Sequence, residues 1–304
     1  MKVETMAVGT FRDNPNYVKI VDLLIDLHVL MRDGKGETQA ADDIRDQMDA
    51  PWFELNEAEQ QRIDGMSADL YTLEPDSPIE HVAASNVYSQ ELSAEIDKAR
   101  KQCDYDRVLQ LLRERSHEIS ADRAAVLRGL CYEKLAVLDI AILLYEHGAS
   151  LRKADDSYAA FLLTKLEQLQ RTDRSLHWAR EFMQRFNDPS PQLLLTAAGA
   201  MLRSIGQNAC DGRSVLEESE QLVTTATHKM KDFQAEPPLK VLAVNRLIEL
   251  ALRYAQIGDS GKAGMLLESA MRVDPDDDLA LAVLRGQFSD AANDEDTIED
   301  LIAV

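Results

Sequence analysis

The sequence holds residue types that could do chemistry, but never as a complete set. Asp274-x-Asp276-x-Asp278 opens like a calcium loop. Such a loop needs glycine at its sixth position for the turn and glutamate at its twelfth as a bidentate ligand. The chain has Leu279 and Arg285 there, so the run reads as the end of one helical unit and the cap of the next helix. Gly258-Asp259-Ser260-Gly261-Lys262 ends like a phosphate-binding loop, whose first glycine stands five residues before the second; that place holds Gln256. The Gly-Asp-Ser-Gly string also occurs in serine proteases, which need a partner histidine and aspartate on a β-rich scaffold. Here it reads as a tight turn between helices. His28, His81, His117, His147, His177 and His228 are scattered. They form no HExxH, and no two stand at metal-ligand spacing. Asp42-Asp43 and Asp155-Asp156 fall at expected helix starts, where carboxylates favour the macrodipole. Trp52 and Phe53 read as packing between N-terminal helices rather than as an exposed anchor. The expectation is no catalytic residue, no metal, no cofactor and no enzyme.

Composition narrows the fold. Apolar residues are 45% of the 304 and aromatics only 6%, while glycine and proline number 13 and 9. That favours helix packed on helix, because sheets draw on aromatic and β-branched residues and on frequent turns. The net charge of −21 would repel phosphate backbones and anionic membranes, so neither nucleic acid nor membrane is expected as a partner. Cys103, Cys131 and Cys210 contain no CxxC and form no disulfide framework, which fits a reducing cytoplasm. No basic, apolar leader opens the chain. The longest apolar runs, Leu193–Leu202 and Leu135–Tyr145, fall short of the roughly 20 residues that span a bilayer.

The elements that would position any site are helical. Residues 1–16 look loose. The spacing predicts a helix over 17–31, with Val18, Val21, Leu24, Ile25, His28 and Met31 near one face. A second is expected over 39–48, with Pro51-Trp52-Phe53 as a break. A third follows the Asn56 cap, with Glu59 completing a capping box, and ends before Pro75 and Pro78. Residues 1–80 therefore form an N-terminal helical segment.

Beyond it the chain becomes periodic. In 122–155, Gly129 and Tyr132 fall in one helix and Ala141, Tyr145 and Gly148 in the next. In 244–277, Ala251, Tyr254, Ala263, Leu267 and Ala270 stand at matching offsets, followed by Asp274-Pro275. Small residues let two helices cross closely, and large ones fill the space beside the crossing. This pattern resembles the tetratricopeptide repeat family, whose period is 34 residues. The likeness is clear in those two units and partial elsewhere. Counting back reaches Val108, and counting forward reaches Ser175, Ala179 and Phe182. Residues 190–238 read as one longer pair, about 191–205 and 213–233, closed by Pro237-Pro238. Residues 48–73 resemble segments that precede such repeats in bacterial proteins, a likeness without functional content. The resemblance implies an all-α, TPR-like α-solenoid of about five antiparallel helix pairs over 81–288, with a covering helix over 279–287. An acidic tail follows over 289–304, reading first as solvated and second as an acidic, apolar-bearing ligand.

In the resembled family the first helix of each pair lines a concave groove, at its second, fifth, ninth, twelfth and thirteenth places. Carried onto this chain, those places give Gln90, Ser93, Asp97, Arg100 and Lys101, then Arg123, Val126, Leu130, Glu133 and Lys134. They continue with Ser157, Ala160, Thr164, Glu167 and Gln168, and with Asn245, Ile248, Leu252, Ala255 and Gln256. The candidate groove set is Arg100, Lys101, Arg123, Val126, Leu130, Lys134, Thr164, Gln168, Asn245, Ile248, Leu252 and Gln256. The family's chaperone-tail carboxylate clamp is not reproduced. Arg100, Lys101, Arg123 and Lys134 make a local basic patch that would steer an acidic peptide, unless Asp97 and Glu133 pair with them. The resulting expectation is a protein-binding adaptor or scaffold. The alternatives are a self-assembling homo-oligomer and a regulatory subunit of an enzyme complex.

Overall fold

The computed structural model describes residues 13–74, 88–205, 212–231 and 236–274. The 289–304 tail, the expected helix over 279–287, Cys210, Asp276 and Asp278 lie outside the described residues. Within them the fold is all-α, and Tyr88 and Ile119 form an isolated antiparallel bridge. The chain divides into two compact units, Met1–Arg152 and Lys153–Val304.

The first unit contains α1 (Pro15–Arg32), α2 (Gln39–Phe53), α3 (Glu57–Leu70), a 3-10 turn (Tyr71–Leu73), α4 (Gln90–Lys101), α5 (Tyr105–Glu114), α6 (Ala121–Lys134) and α7 (Leu138–Leu151). Asn14 caps α1 ahead of Pro15, which supplies a fixed φ where no N–H is needed. The buried stripe of α1 is Tyr17, Ile20, Val21, Leu24, Leu27 and His28. It is rotated from the expected face, because α1 must meet α2 on one side and α3 on the other; Val18 is left exposed. Pro51 does not break α2 but sits buried in its last turn, where it gives up one i→i−4 bond as the helix is about to end. Phe53 then ends 79% exposed instead of packing between helices. The capping box on α3 forms as expected: Glu59 N–H donates to Asn56 Oδ1 at 3.0 Å, and Asn56 N–H donates to Glu59 Oε2 at 2.9 Å.

The second unit contains α8 (Asp156–Gln168), α9 (Thr172–Arg185), α10 (Pro191–Ser204), α11 (Gly212–Lys231), α12 (Pro237–Gln256) and α13 (Ser260–Val273). Pro237 and Pro238 open α12 rather than only closing the pair before it. α10 packs against α8, α9, α11 and α12, which accounts for its apolar run: a helix with neighbours on every side buries Leu193 through Leu202 without interruption.

One backbone device recurs through both units. α4–α5, α6–α7, α8–α9 and α12–α13 are each joined by three residues, the middle one left-handed: Cys103 (φ 56°), Ala136 (φ 60°), Gln170 (φ 54°) and Gly258 (φ 83°). In each, the N–H after the left-handed residue bonds a carbonyl five residues back: Asp104 to Ala99, Val137 to Tyr132, Arg171 to Leu166 and Asp259 to Tyr254. The left-handed residue's own N–H bonds three back, to Arg100, Glu133, Glu167 and Ala255. These are Schellman closures that turn straight into the next helix. Cys103, Ala136 and Gln170 stand 33 and 34 residues apart. Asp104 and Asp259 also cap the helices that follow.

Side-chain packing supports the small-and-large pattern. A Cβ on Gly129 would lie 2.5 Å from the Tyr145 ring, so the α6–α7 crossing depends on glycine there. Ser175, Ala179 and Phe182 are the buried residues of α9. Ala251, Tyr254, Ala263 and Ala270 are buried in the α12–α13 pair.

Candidate functional site

One member of the expected basic patch, Arg123, meets an aromatic residue that the groove positions did not include. Tyr88 precedes α4 and is pinned by its bridge to Ile119 and by the Ser89 N–H, which donates to Glu118 O at 3.0 Å. The Arg123 guanidinium of α6 lies over the Tyr88 ring, 4.3 Å from its centroid. Burial raises the Tyr88 phenol above its usual range; a hydrogen bond with Ser93 and the Arg123 charge act the other way, with weaker contributions from Asp97 and Arg100. Ser93 and Arg123, both groove positions carried over from the resembled family, thus engage this phenol, and the charges of Asp97 and Arg100 act on it from farther off. Arg100 reaches Asp97 at 3.7 Å, both side chains about half exposed, an ion pair worth well under about 1 kcal/mol. Arg123 makes no ion pair among the described residues. Glu133, the other expected neutraliser, accepts from the Tyr145 hydroxyl at 2.7 Å. Val126 and Leu130 are half-buried on α6, while Lys101 and Lys134 are exposed at the ends of α4 and α6.

In the second unit the carried-over positions fare unevenly. Thr164 and Gln168 on α8 are exposed, and the Thr164 hydroxyl donates back to Ala160 O. Gln256 is exposed and Asn245 half-buried on α12. Ile248 and Leu252 belong to the hydrophobic core, where they serve the fold and present no side chain to a partner. Glu167 is taken up by an ionic network: Arg203 of α10 reaches it at 2.6 Å and Arg246 of α12 at 3.5 Å. Arg246 is buried, bonds Glu249 at 2.8 Å, and lies so close over Gly199 that a Cβ there would fall 2.3 Å from the guanidinium. Burial alone would lower the Arg246 pKa, but the Glu249 and Glu167 charges carry it above the usual value.

A second buried network lies in the first unit and was not anticipated. Asp69 is completely buried. It accepts from Arg128 Nε at 3.0 Å, Arg113 Nη1 at 2.7 Å and the Tyr132 hydroxyl at 2.7 Å. Burial, together with the Asp69 charge and hydrogen bond, holds the Tyr132 phenol well above its usual range, so it stays protonated and donating. Burial also pushes the Cys131 thiol up to about 12, which makes it unreactive at neutral pH. A signal for both networks was present in the sequence: Arg128 stands on the stripe of Ala124, Ala125, Cys131 and Tyr132, and Arg246 on that of Ala243, Leu247 and Leu250. A charge at such a place is buried only with a partner.

Among the described residues no group of three His, Cys, Asp or Glu side chains could hold a metal ion, and no helix is long and apolar enough to cross a membrane. No family model, no curated protein and no solved structure matches the chain.

Proposed function

We propose that the chain is a TPR-like array of helix pairs that acts as a non-enzymatic adaptor. Its α4–α6 face in the first unit holds an acidic polypeptide segment carrying apolar side chains. The observation that carries this reading is the Arg123 guanidinium lying over the Tyr88 ring, with Ser93 bonded to the same phenol and the Arg100 charge acting on it. An aromatic ring under a guanidinium, beside the half-buried Val126 and Leu130, offers apolar contact and positive charge together on an acidic protein. Such a patch orients an incoming carboxylate and speeds its capture. The repeating hairpin at 33 and 34 residues supports the likeness to the repeat family. So does the packing of α10 between α8 and α12, the arrangement in which successive first helices lie side by side.

The segment 289–304 supplies a probe of the right chemistry, with Ile298, Leu301, Ile302 and Val304 among six acids. A fluorescent peptide of that sequence, titrated into protein lacking those residues, is expected to bind with salt-dependent affinity. Arg100→Glu/Arg123→Glu is expected to weaken it about tenfold or more, equivalent to about 1.4 kcal/mol. Equal affinity in the folded double variant would count against this face. A second copy of the chain as the true partner would show instead as a mass that grows with concentration.

A further inference from the structure

A cleft of about 520 Å³ opens between α3 and α5, with Tyr132 of α6 among its lining residues. That volume lies in the range of small-molecule sites, roughly 300–1,000 Å³. Its charged lining is Arg62, Arg107 and Arg113 against Asp104 and Asp106. Beneath it two guanidiniums, Arg113 and Arg128, share the single carboxylate of Asp69. The shared carboxylate leaves one positive charge in excess, and Arg113 carries it to the cleft.

The geometry fixes how Arg113 is presented. Its Nη1 donates to Asp69 at 2.7 Å and to Gly65 O at 3.3 Å. A Cβ on residue 65 would lie 3.2 Å from Arg113 Nη2, so glycine lets the guanidinium lie close against α3. Nη2 donates to no protein acceptor among the described residues. Asp69 is itself immobilised by Arg128 and Tyr132. The donor left over is thus held in place before any ligand arrives, which lowers the ordering cost of binding. Arg107 is loosely engaged: it meets Glu114 at 3.5 Å, with both side chains about half exposed. Pairs of that kind contribute little and exchange readily for a better anion.

We propose that this cleft binds a small-molecule oxyanion, a carboxylate or phosphate group seated on Arg113, with Arg107 closing on it. Guanidinium forks match both groups in a bidentate way. The site shares α6 with the peptide face through Tyr132 and Arg128, but the arginines that would meet its ligand stand on α5, so different variants test the two.

The test is calorimetric titration of the full chain with citrate and, separately, with inorganic phosphate, at constant ionic strength. Saturable binding of at least one probe is expected, weakened about tenfold or more by Arg107→Gln and by Arg113→Lys, and unchanged by Arg123→Glu. Citrate alone binding assigns a carboxylate ligand; phosphate alone assigns a phosphate. Arg113→Lys keeps a positive charge beside Asp69, and its far-ultraviolet dichroism and melting report whether it folds. Arg107 lies outside the buried network, so Arg107→Gln decides the matter if the first variant fails. No saturable heat with either probe, or wild-type affinity in folded Arg107→Gln, would overturn the proposal.

Discussion

His28 ties the stability of the first unit to pH. It is 1% exposed, with its ring edge-on to Tyr71 at 4.8 Å between centroids. Its Nε2 is 3.4 Å from Ser67 Oγ and its Nδ1 3.4 Å from Glu74 Oε1. Burial lowers its pKa from 6.5 to about 4. Above pH 6.5 the ring is neutral in both folded and unfolded chains and contributes nothing to the slope. Below that, the unfolded chain takes a proton the folded one refuses. Stability therefore falls from pH 6.5 toward 4, by about 3 kcal/mol in all. Glu74 acts in the opposite sense: burial raises its carboxyl pKa, so the folded state takes that proton first and regains part of the loss at the acid end. Urea unfolding from about pH 7 to about pH 4.5 should show a shallower decline in His28→Gln than in wild type. Parallel curves would mean that another group sets the slope. The sequence placed His28 on the stripe with Val21 and Leu24, which was right. It gave no hint of Ser67, Tyr71 and Glu74 around it, because those come from helices brought together only by packing.

At the scale of elements, the recurring hairpin divides what could be read from what could not. Gly258 marks its own left-handed position, and the Gly258-Asp259 turn was expected for that reason. Cys103, Ala136 and Gln170 occupy the same conformation without glycine, and residue type gives no warning of it. A left-handed L-residue costs roughly 1–2 kcal/mol, of which glycine's extra freedom when unfolded takes back part. Ala136→Gly is therefore expected to stabilise the protein by about 0.5–1 kcal/mol, seen as a raised melting temperature. A lowered one would mean that the Ala136 methyl contributes packing that outweighs the strain. Pro51 and Pro237 teach the converse. Proline reads as a break, yet Pro237 sits in the first turn of α12, where its N–H would have no helical partner, and Pro51 gives up one backbone bond only two residues before α2 ends.

For the whole molecule, the charge of −21 is the background against which local excess positive charge acquires meaning. The all-α class was legible because apolar spacing and scarce turn residues depend on the chain alone. The candidate sites were legible only in part. Arg100 and Arg123 came from groove places carried over from the resembled family, whereas Tyr88 meets Arg123 from a position held by a bridge to Ile119, a contact between distant residues. Ile248 and Leu252 were carried over to a groove and are core, since a position's number in a repeat does not report what packs on it. Arg128 on the apolar stripe of α6 signals that a buried partner exists, but that the partner is Asp69 depends on α3, α5 and α6 meeting, which no local pattern encodes.

The most direct test of the adaptor reading is affinity capture from source lysate. It compares the full chain with Arg100→Glu/Arg123→Glu/Lys134→Glu, after the variant's melting curve has been matched to wild type. A protein retained by the wild type and lost from the folded variant is the expected result. A protein retained equally by both would contradict the assignment of the α4–α6 face as the surface that binds it.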